Sequence, residues 1–420
     1  MGERMRISIL VLVMLAYVLE IHTEEFKINK PQSVHIASLA LVYDQEVLHN
    51  DAVLLQKMLA STGVMEATLF VGSMPITKKQ ITDYLPKGFS TVLFIQQDHD
   101  HIRWRLYDTT QAEMLLGKQT GSSSSALTIR LIADAVYTYL FNHESYFLTK
   151  LAYIKKTPTV RNKKRTELCL LDPVDGHSTT ILKDARILVA PEWAAFSEDN
   201  ASKIWLTVSE FTPGNVRLLG LDMKGRTWPI IDVEGTCVGV AQYNDCTFAY
   251  SKSGTIWLYS YDKKSKKGVH RRLTKAHQTC GCPSFLKSGD IIYSSNGKIY
   301  RYAMNAQESL PLPLVGNCMG PDVHAATDRI VFSRSINGVL QIHACNSQGE
   351  AVKQLTFGPG NKVDPCWSAC GNYIAYTRCH EGREQIALLN CLNGVEKIVT
   401  PAEEYCGYPA WSDKSSRLYA

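Results

Sequence analysis

Two different spacings of apolar residues divide the chain. Up to about residue 146 the pattern mixes helix and strand periods. Residues 35–43 (HIASLALVY) form an apolar run with strand character. In 49–60 the apolar residues Val53, Leu54, Met58 and Leu59, with Leu55 alongside, fall at helical spacing. Residues 91–97, 101–107 and 113–118 read as a strand meander, with Asp98, His99 and Asp100 at its first turn. Residues 126–141 (ALTIRLIADAVYTYLF) read as a long amphipathic helix, preceded by Gly121 and four serines that offer N-caps. After about residue 146 the helical period vanishes, and short apolar runs alternate with Gly, Asn, Asp and Ser turns.

That second region repeats. Pro365-Cys366-Trp367 precedes a turn and the strand triplet Ile374-Ala375-Tyr376, and Pro409-Ala410-Trp411 precedes Leu418-Tyr419-Ala420. Weaker copies of the same unit begin at Pro191, Gly239, Pro283 and Pro321. A second strand follows each triplet except the last, and a third element ends in Leu-Thr, as in Leu273-Thr274 and Leu355-Thr356. Units of about 40–45 residues with about four short strands each predict a β-propeller, because a single blade cannot bury both of its faces. A partial unit at 151–171 lacks the Pro-x-aromatic opening, whereas the C-terminus has that opening and little after it. The two fragments complement each other, so the last strand is expected to complete the first blade and close a ring of six. The fold class expected is a small α/β N-terminal domain followed by an all-β six-bladed β-propeller.

Composition narrows the class. The chain has 420 residues, 45% hydrophobic and 20% charged, with a net charge of +5. These values exclude a disordered chain, a collagen, a coiled coil and a polytopic membrane protein. The charge excess is too small to argue for a nucleic-acid partner. Residues 1–20 carry Arg4 and Arg6 before a 13-residue apolar run, 7–19. A bilayer-spanning helix needs about 20 such residues, so the run reads as a signal peptide. The domains expected are a signal peptide at 1–21, the α/β domain with an extended N-terminal segment at 22–146, and the propeller at 147–420. All twelve cysteines lie at or after Cys169.

The repeat, with Pro-x-Trp-Ser, a turn and an apolar triplet, resembles the PD40 type. A signal peptide, a small α/β domain and six such blades ending just past Pro409-Ala410-Trp411-Ser412 resemble the TolB family of the periplasmic Tol–Pal system. The Pro-Asp of the family turn is absent: Ala369-Cys370-Gly371 follows Trp367-Ser368, and Asp413-Lys414 follows Trp411-Ser412. The resemblance implies a periplasmic, monomeric binding protein rather than an enzyme, without cofactor or metal. Its implied partners are the peptidoglycan-associated lipoprotein (Pal) and TolA, and its implied role is in outer-membrane integrity and envelope constriction at division. It places Pal contacts in the loops before the Pro-x-aromatic motif, at 235–238, 279–282, 317–320, 361–364 and 405–408. The candidate partner-binding residues there are Gly235, Val238, Thr279, Gly281, Asn317, Asn361 and Tyr408. A switch segment that engages TolA maps to 22–32, with Glu24, Phe26 and Lys27.

Chemical motifs add little. There is no Gly-x-Ser-x-Gly elbow, zincin motif or P-loop. His99 and His101 flank a turn and read as exposed polar residues. Cys280-x-Cys282 and Cys366-x3-Cys370 sit in different blades, unlike paired zinc knuckles. Cys280, Cys318 and Cys406 each stand three residues before their blade's Pro, with Cys237 one position off that phase, and are expected to ring the channel mouth. Within that ring, a disulfide between Cys280 and Cys318, or from either to Cys282, is open in an oxidising compartment. Residues 161–165 and 263–272 are basic and read as solvated turns. The alternative function is a secreted propeller enzyme or carbohydrate-binding propeller working in the same axial channel.

Overall fold

The computed structural model describes residues 37–44, 48–99, 101–120, 126–160, 163–194, 205–212, 215–234, 239–244, 246–262, 264–265, 267–275, 279–324 and 326–414. The leader, Glu24, Phe26 and Lys27, the serines before the long helix, and the loop carrying Gly235 and Val238 lie outside the described residues.

The N-terminal region contains β1 (Ala37–Tyr43), α1 (His49–Ser61), β2 (Met65–Val71), α2 (Lys78–Thr82), β3 (Thr91–Asp98), β4 (His101–Asp108), β5 (Met114–Thr120) and α3 (Ala126–Phe141). They build one sheet in the order β2-β1-β3-β4-β5. β1 is parallel to β2 and β3, and β3, β4 and β5 form an antiparallel meander. Strand alternation sorts β1 between two cores. Leu39 and Leu41 pack with Leu55, Met58 and Leu59 of α1 and Ile129, Ile132 and Val136 of α3. Ala40 and Val42 face the opposite side, with Val92, Phe94 and Ile81 of α2.

The remainder forms six four-stranded sheets. Counted in chain order, their innermost strands are Tyr405–Trp411, Ile187–Trp193, Val240–Asn244, Gly281–Phe285, Cys318–His324 and Asn361–Trp367. The ring closes as the two sequence fragments require. Tyr405–Trp411 pairs antiparallel with Leu151–Val160, with Trp411 opposite Leu151.

The Pro-x-aromatic motif has a specific job in this geometry. The residue before each Pro has a positive φ: Ala190 (47°), Cys282 (49°), Gly320 (58°), Asp364 (51°) and Tyr408 (55°). In the third blade Gly239 (84°) holds this place. In the other five blades the register shifts here, so that two residues of the innermost strand oppose one of its neighbour. This is a β-bulge, and a bulge is where a strand tolerates a proline that cannot donate a ladder hydrogen bond. Gly239 marks Val240, not itself, as the equivalent of the proline, which corrects the repeat phase by one residue and brings Cys237 into step with the other three. A Cβ at Gly239 would lie 3.0 Å from Cys282 Cα, so in this one blade the position is also crowded.

The Leu-Thr ending, which is Val399-Thr400 in the sixth blade, is explained as well. The hydroxyls of Thr274, Thr356 and Thr400 each accept the backbone N–H of an isoleucine in the third strand, Ile256, Ile342 and Ile386, at 2.9 Å. A buried amide is thereby satisfied where the outermost strand leaves the sheet. Among the described residues no helix is long and apolar enough to cross a membrane.

The two folded parts share one core. Tyr146 packs edge-on against Tyr373 at 4.6 Å, and the indole N–H of Trp411 donates to Thr149 Oγ1 at 2.7 Å. Arg130 of α3 is buried and bonds Asp172 Oδ2 at 2.6 Å and the Phe147 carbonyl at 3.0 Å.

Candidate functional site

The contacts of the α/β region give the propeller a direction. They fall on the turns after innermost and third strands: Asn390 donates to Thr62 O at 2.8 Å, Asn393 to Gly63 O at 3.3 Å, and Lys414 pairs with Asp134 at 2.8 Å. Innermost strands therefore end beside the α/β region. The loops that begin them gather at the opposite mouth of the channel.

Four of the five described candidate residues are anchored by hydrogen bonds at that mouth. Thr279 is exposed, and its hydroxyl donates to Asn296 Oδ1 at 2.6 Å. Asn317 is exposed, and its carbonyl accepts the Ser335 amide at 2.9 Å. Asn361 is exposed, and its Oδ1 accepts the Leu340 amide of the preceding blade at 2.9 Å. Gly281 is half-buried, and its carbonyl accepts Ser294 Oγ at 3.2 Å. The side chain of Asn361 is thus committed to holding a neighbouring hairpin.

Tyr408, the fifth, belongs to a narrower group deeper along the axis, with Cys282 and Asp364. All three are bulge residues with positive φ. Thr377 links two of them: its hydroxyl donates to Asp364 Oδ2 at 3.2 Å and accepts the Tyr408 amide at 3.1 Å. Burial raises the Asp364 carboxyl to about 6, against the opposing effects of the Thr377 hydroxyl and Lys156. Burial, reinforced by the Asp364 charge, also pushes the Tyr408 hydroxyl and the Cys282 thiol up to about 12. Lys156 is held by Glu384, and Lys155 by Glu404 at 2.6 Å, so these two rim lysines are paired.

The axis also opens beside the α/β region, into a cavity of about 660 Å³. Every blade contributes the residue after its proline or proline equivalent: Ala410, Glu192, Ala241, Ser284, Asp322 and Cys366. Burial raises the Asp322 carboxyl to about 6, although it accepts the Trp367 amide at 2.8 Å and Ser284 Oγ at 3.3 Å. Glu192 is raised further by burial and by the nearby Asp322 and Asp413 charges. Among the described residues no three His, Cys, Asp or Glu side chains are placed to hold a metal ion.

The cysteine expectation is corrected. Cys280, Cys318 and Cys406 start mouth strands, but their side chains are buried in three separate apolar clusters. Position three before proline faces the blade interior, not the opening. All eleven described cysteines are free thiols. Among the other motifs, His99 is exposed on its turn, and Lys267–Arg272 is a fully exposed outermost strand.

Two mouth residues escape sequence reasoning. Phe357 projects from the loop between the fifth and sixth blades, 66% exposed. Lys362 is only 2% exposed and donates to three carbonyls of that same loop. The available signal was a lysine standing three residues before a proline, in phase with buried cysteines.

No family model matches the chain. Among curated proteins it is 32% identical over 90 residues to the protein TolB homolog of Chlorobaculum tepidum, covering 21% of this chain and 20% of that one. It is 28% identical over 134 residues to the Tol-Pal system protein TolB of Azoarcus sp., covering 30% of each. The chain thus matches less than a third of these relatives' length. In structure it is similar to TolB from Acinetobacter baumannii, with a TM-score of 0.75 at 18% identity, over 92% of this chain and 98% of that one. At that identity the structural match establishes the fold. Together, the partial sequence matches and the six-bladed fold make this chain a divergent TolB-like protein.

Proposed function

We propose that this protein is a periplasmic, monomeric scaffold of a Tol–Pal system that binds Pal at the channel mouth and TolA through its N-terminal segment. In this reading it supports outer-membrane integrity and envelope constriction at division, and it works by binding rather than by catalysis. The observation that carries it is the coincidence of sequence similarity to Tol–Pal TolB proteins with the order of an α/β region and six closed blades. The mouth supports it further. Among the described residues that end is free of the α/β region, and its described loops are pinned by hydrogen bonds while Thr279, Asn317 and Asn361 stay exposed. A pre-formed surface of this kind loses little ordering entropy on association. The same reading divides the chain into a leader at 1–21, a segment and α/β domain at 22–146 and a propeller at 147–420, with Glu24, Phe26 and Lys27 in the segment that meets TolA.

The test is capture of this chain by the immobilised soluble domain of Pal from the same organism. The unaltered chain should be retained. Gly281→Trp, which puts a large ring at the rim, should be lost with its circular dichroism unchanged. Failure of the unaltered chain to bind, or equal retention of the variant, would contradict the proposal.

A further inference from the structure

One ring position separates the sixth blade from the others. Three residues before the proline, the second, fourth, fifth and first blades carry Leu188, Cys280, Cys318 and Cys406, all at most 5% exposed. The sixth blade carries Lys362 there, equally buried. Burying an ammonium group is costly unless its donors are satisfied, and here all three are. Lys362 Nζ donates to the carbonyls of Phe357 at 3.0 Å, Gly358 at 3.1 Å and Pro359 at 2.9 Å. Desolvation lowers the lysine's pKa, as expected for a cation enclosed in this way.

The clamp fixes one loop, and other bonds fix it further. Gln341 Nε2 also donates to Gly358 O at 2.8 Å, and the Thr356 hydroxyl donates to Gln341 Oε1 at 2.9 Å. Gly360 has a φ of +80°, and a Cβ there would come within 2.6 Å of the Cys379 carbonyl. The loop is therefore rigid, yet the side chain of Phe357 stays 66% exposed. A lone exposed apolar residue carries no message. Phe357 is not alone at this rim: Val315 (74% exposed) stands on the inter-blade loop before it, and Tyr405 (48%) begins the innermost strand after it. Two lysines of this arc are spent on carboxylates, Lys155 on Glu404 and Lys156 on Glu384. This arc offers a partner apolar contact from a pre-organised loop, which is how protein interfaces concentrate affinity.

We infer that Phe357, held out by the buried Lys362 clamp and flanked by Val315 and Tyr405, is the apolar anchor of the mouth and inserts into an apolar depression on the folded Pal domain. The inference rests on the reading of the mouth as the Pal-binding face. It adds an anchor between the fifth and sixth blades, distinct from Gly281 of the fourth.

The experiment measures the Kd of the soluble Pal domain for the full chain, for Phe357→Ala and for Lys362→Leu, together with sedimentation of each protein alone. Phe357→Ala should weaken binding by at least about tenfold, the scale of losing a buried aromatic anchor, with the thermal midpoint unchanged. Lys362→Leu restores the residue type of the second blade and frees the loop. It should weaken binding by about two- to tenfold with Phe357 intact, and it should speed hydrogen exchange in the 357–360 loop. If the unaltered chain binds and Phe357→Ala binds within twofold of it, the inference falls and the Pal reading stands. If the unaltered chain does not bind, the Pal reading falls and takes the inference with it. A chain that dimerises in sedimentation, with Phe357→Ala monomeric, would show that a second copy covers the anchor and would likewise overturn the assignment.

Discussion

Arg130→Met tests how firmly the α/β region is locked to the propeller. Arg130 and Asp172 are 3% and 4% exposed and lie 2.6 Å apart, Nη2 to Oδ2. Removing one partner of a buried pair leaves an uncompensated charge and costs about 3–5 kcal/mol. The bond to the Phe147 carbonyl is lost too, worth about 1 kcal/mol. Lys150, 3.7 Å from the same Asp172 oxygen, offsets part of this, so the net expectation is about 3–4 kcal/mol. Urea unfolding followed by tryptophan fluorescence measures the loss, because Trp411 lies in the shared aromatic contact. Asp172→Asn completes a double-mutant cycle, and the pair should show a coupling of about 2–3 kcal/mol. Arg130→Lys should fall between, since it keeps the charge and loses the planar fork. A loss under about 1 kcal/mol in Arg130→Met, or an Asp172→Asn effect unchanged in its presence, would refute the lock.

Asp322 holds its proton to about pH 6 in the folded chain, whereas the unfolded chain releases it near pH 4. The folded state binds more protons in that window, so this group makes stability fall as pH rises from about 4 to 6, by up to about 3 kcal/mol. Asp322→Asn should flatten that part of the stability–pH curve; an unaltered slope would count against the assignment. Six of the described cysteines are buried, and burial pushes Cys345, Cys391 and Cys406 up to about 12. At pH 8 those six thiols should react with a thiol reagent only after unfolding, and rapid labelling of all the cysteines in the folded chain would contradict their placement. Thr400→Val should cost about 1–3 kcal/mol by stranding the Ile386 amide, and a cost near zero in urea unfolding would show that this threonine has no such role.

Much of the architecture could be read from the chain because its signals repeat. The openings of the repeat units recur at a nearly constant interval, four of them with a proline two residues before an aromatic, and the two incomplete end fragments complement each other. What was missed has local causes. β2 interleaves Glu66 and Thr68 with small or flexible apolar residues, and α2 has only five residues, too few to show a period. Val240 in place of proline shifted one repeat by a residue, which only the positive φ of Gly239 reveals. The cysteines were placed along the chain correctly but on the wrong side of their strands, because the bulge resets the alternation just after them. Beyond its phase with the cysteines, Lys362 carries no distinctive signal in the chain, because what holds it is the backbone carbonyls of Phe357, Gly358 and Pro359, which any residue types could supply. The pairing of Glu192 with Asp322 needs two distant blades to meet at the axis.

The central claim is that a protein partner docks on the mouth and not on the end beside the α/β region. Hydrogen–deuterium exchange of the full chain with and without the soluble Pal domain tests it directly. Exchange should slow at 279–282, 317–320, 357–364 and 405–408, with no change in the turns at 172–176 and 390–395. Protection confined to those turns, or no protection anywhere at saturating Pal, would contradict it.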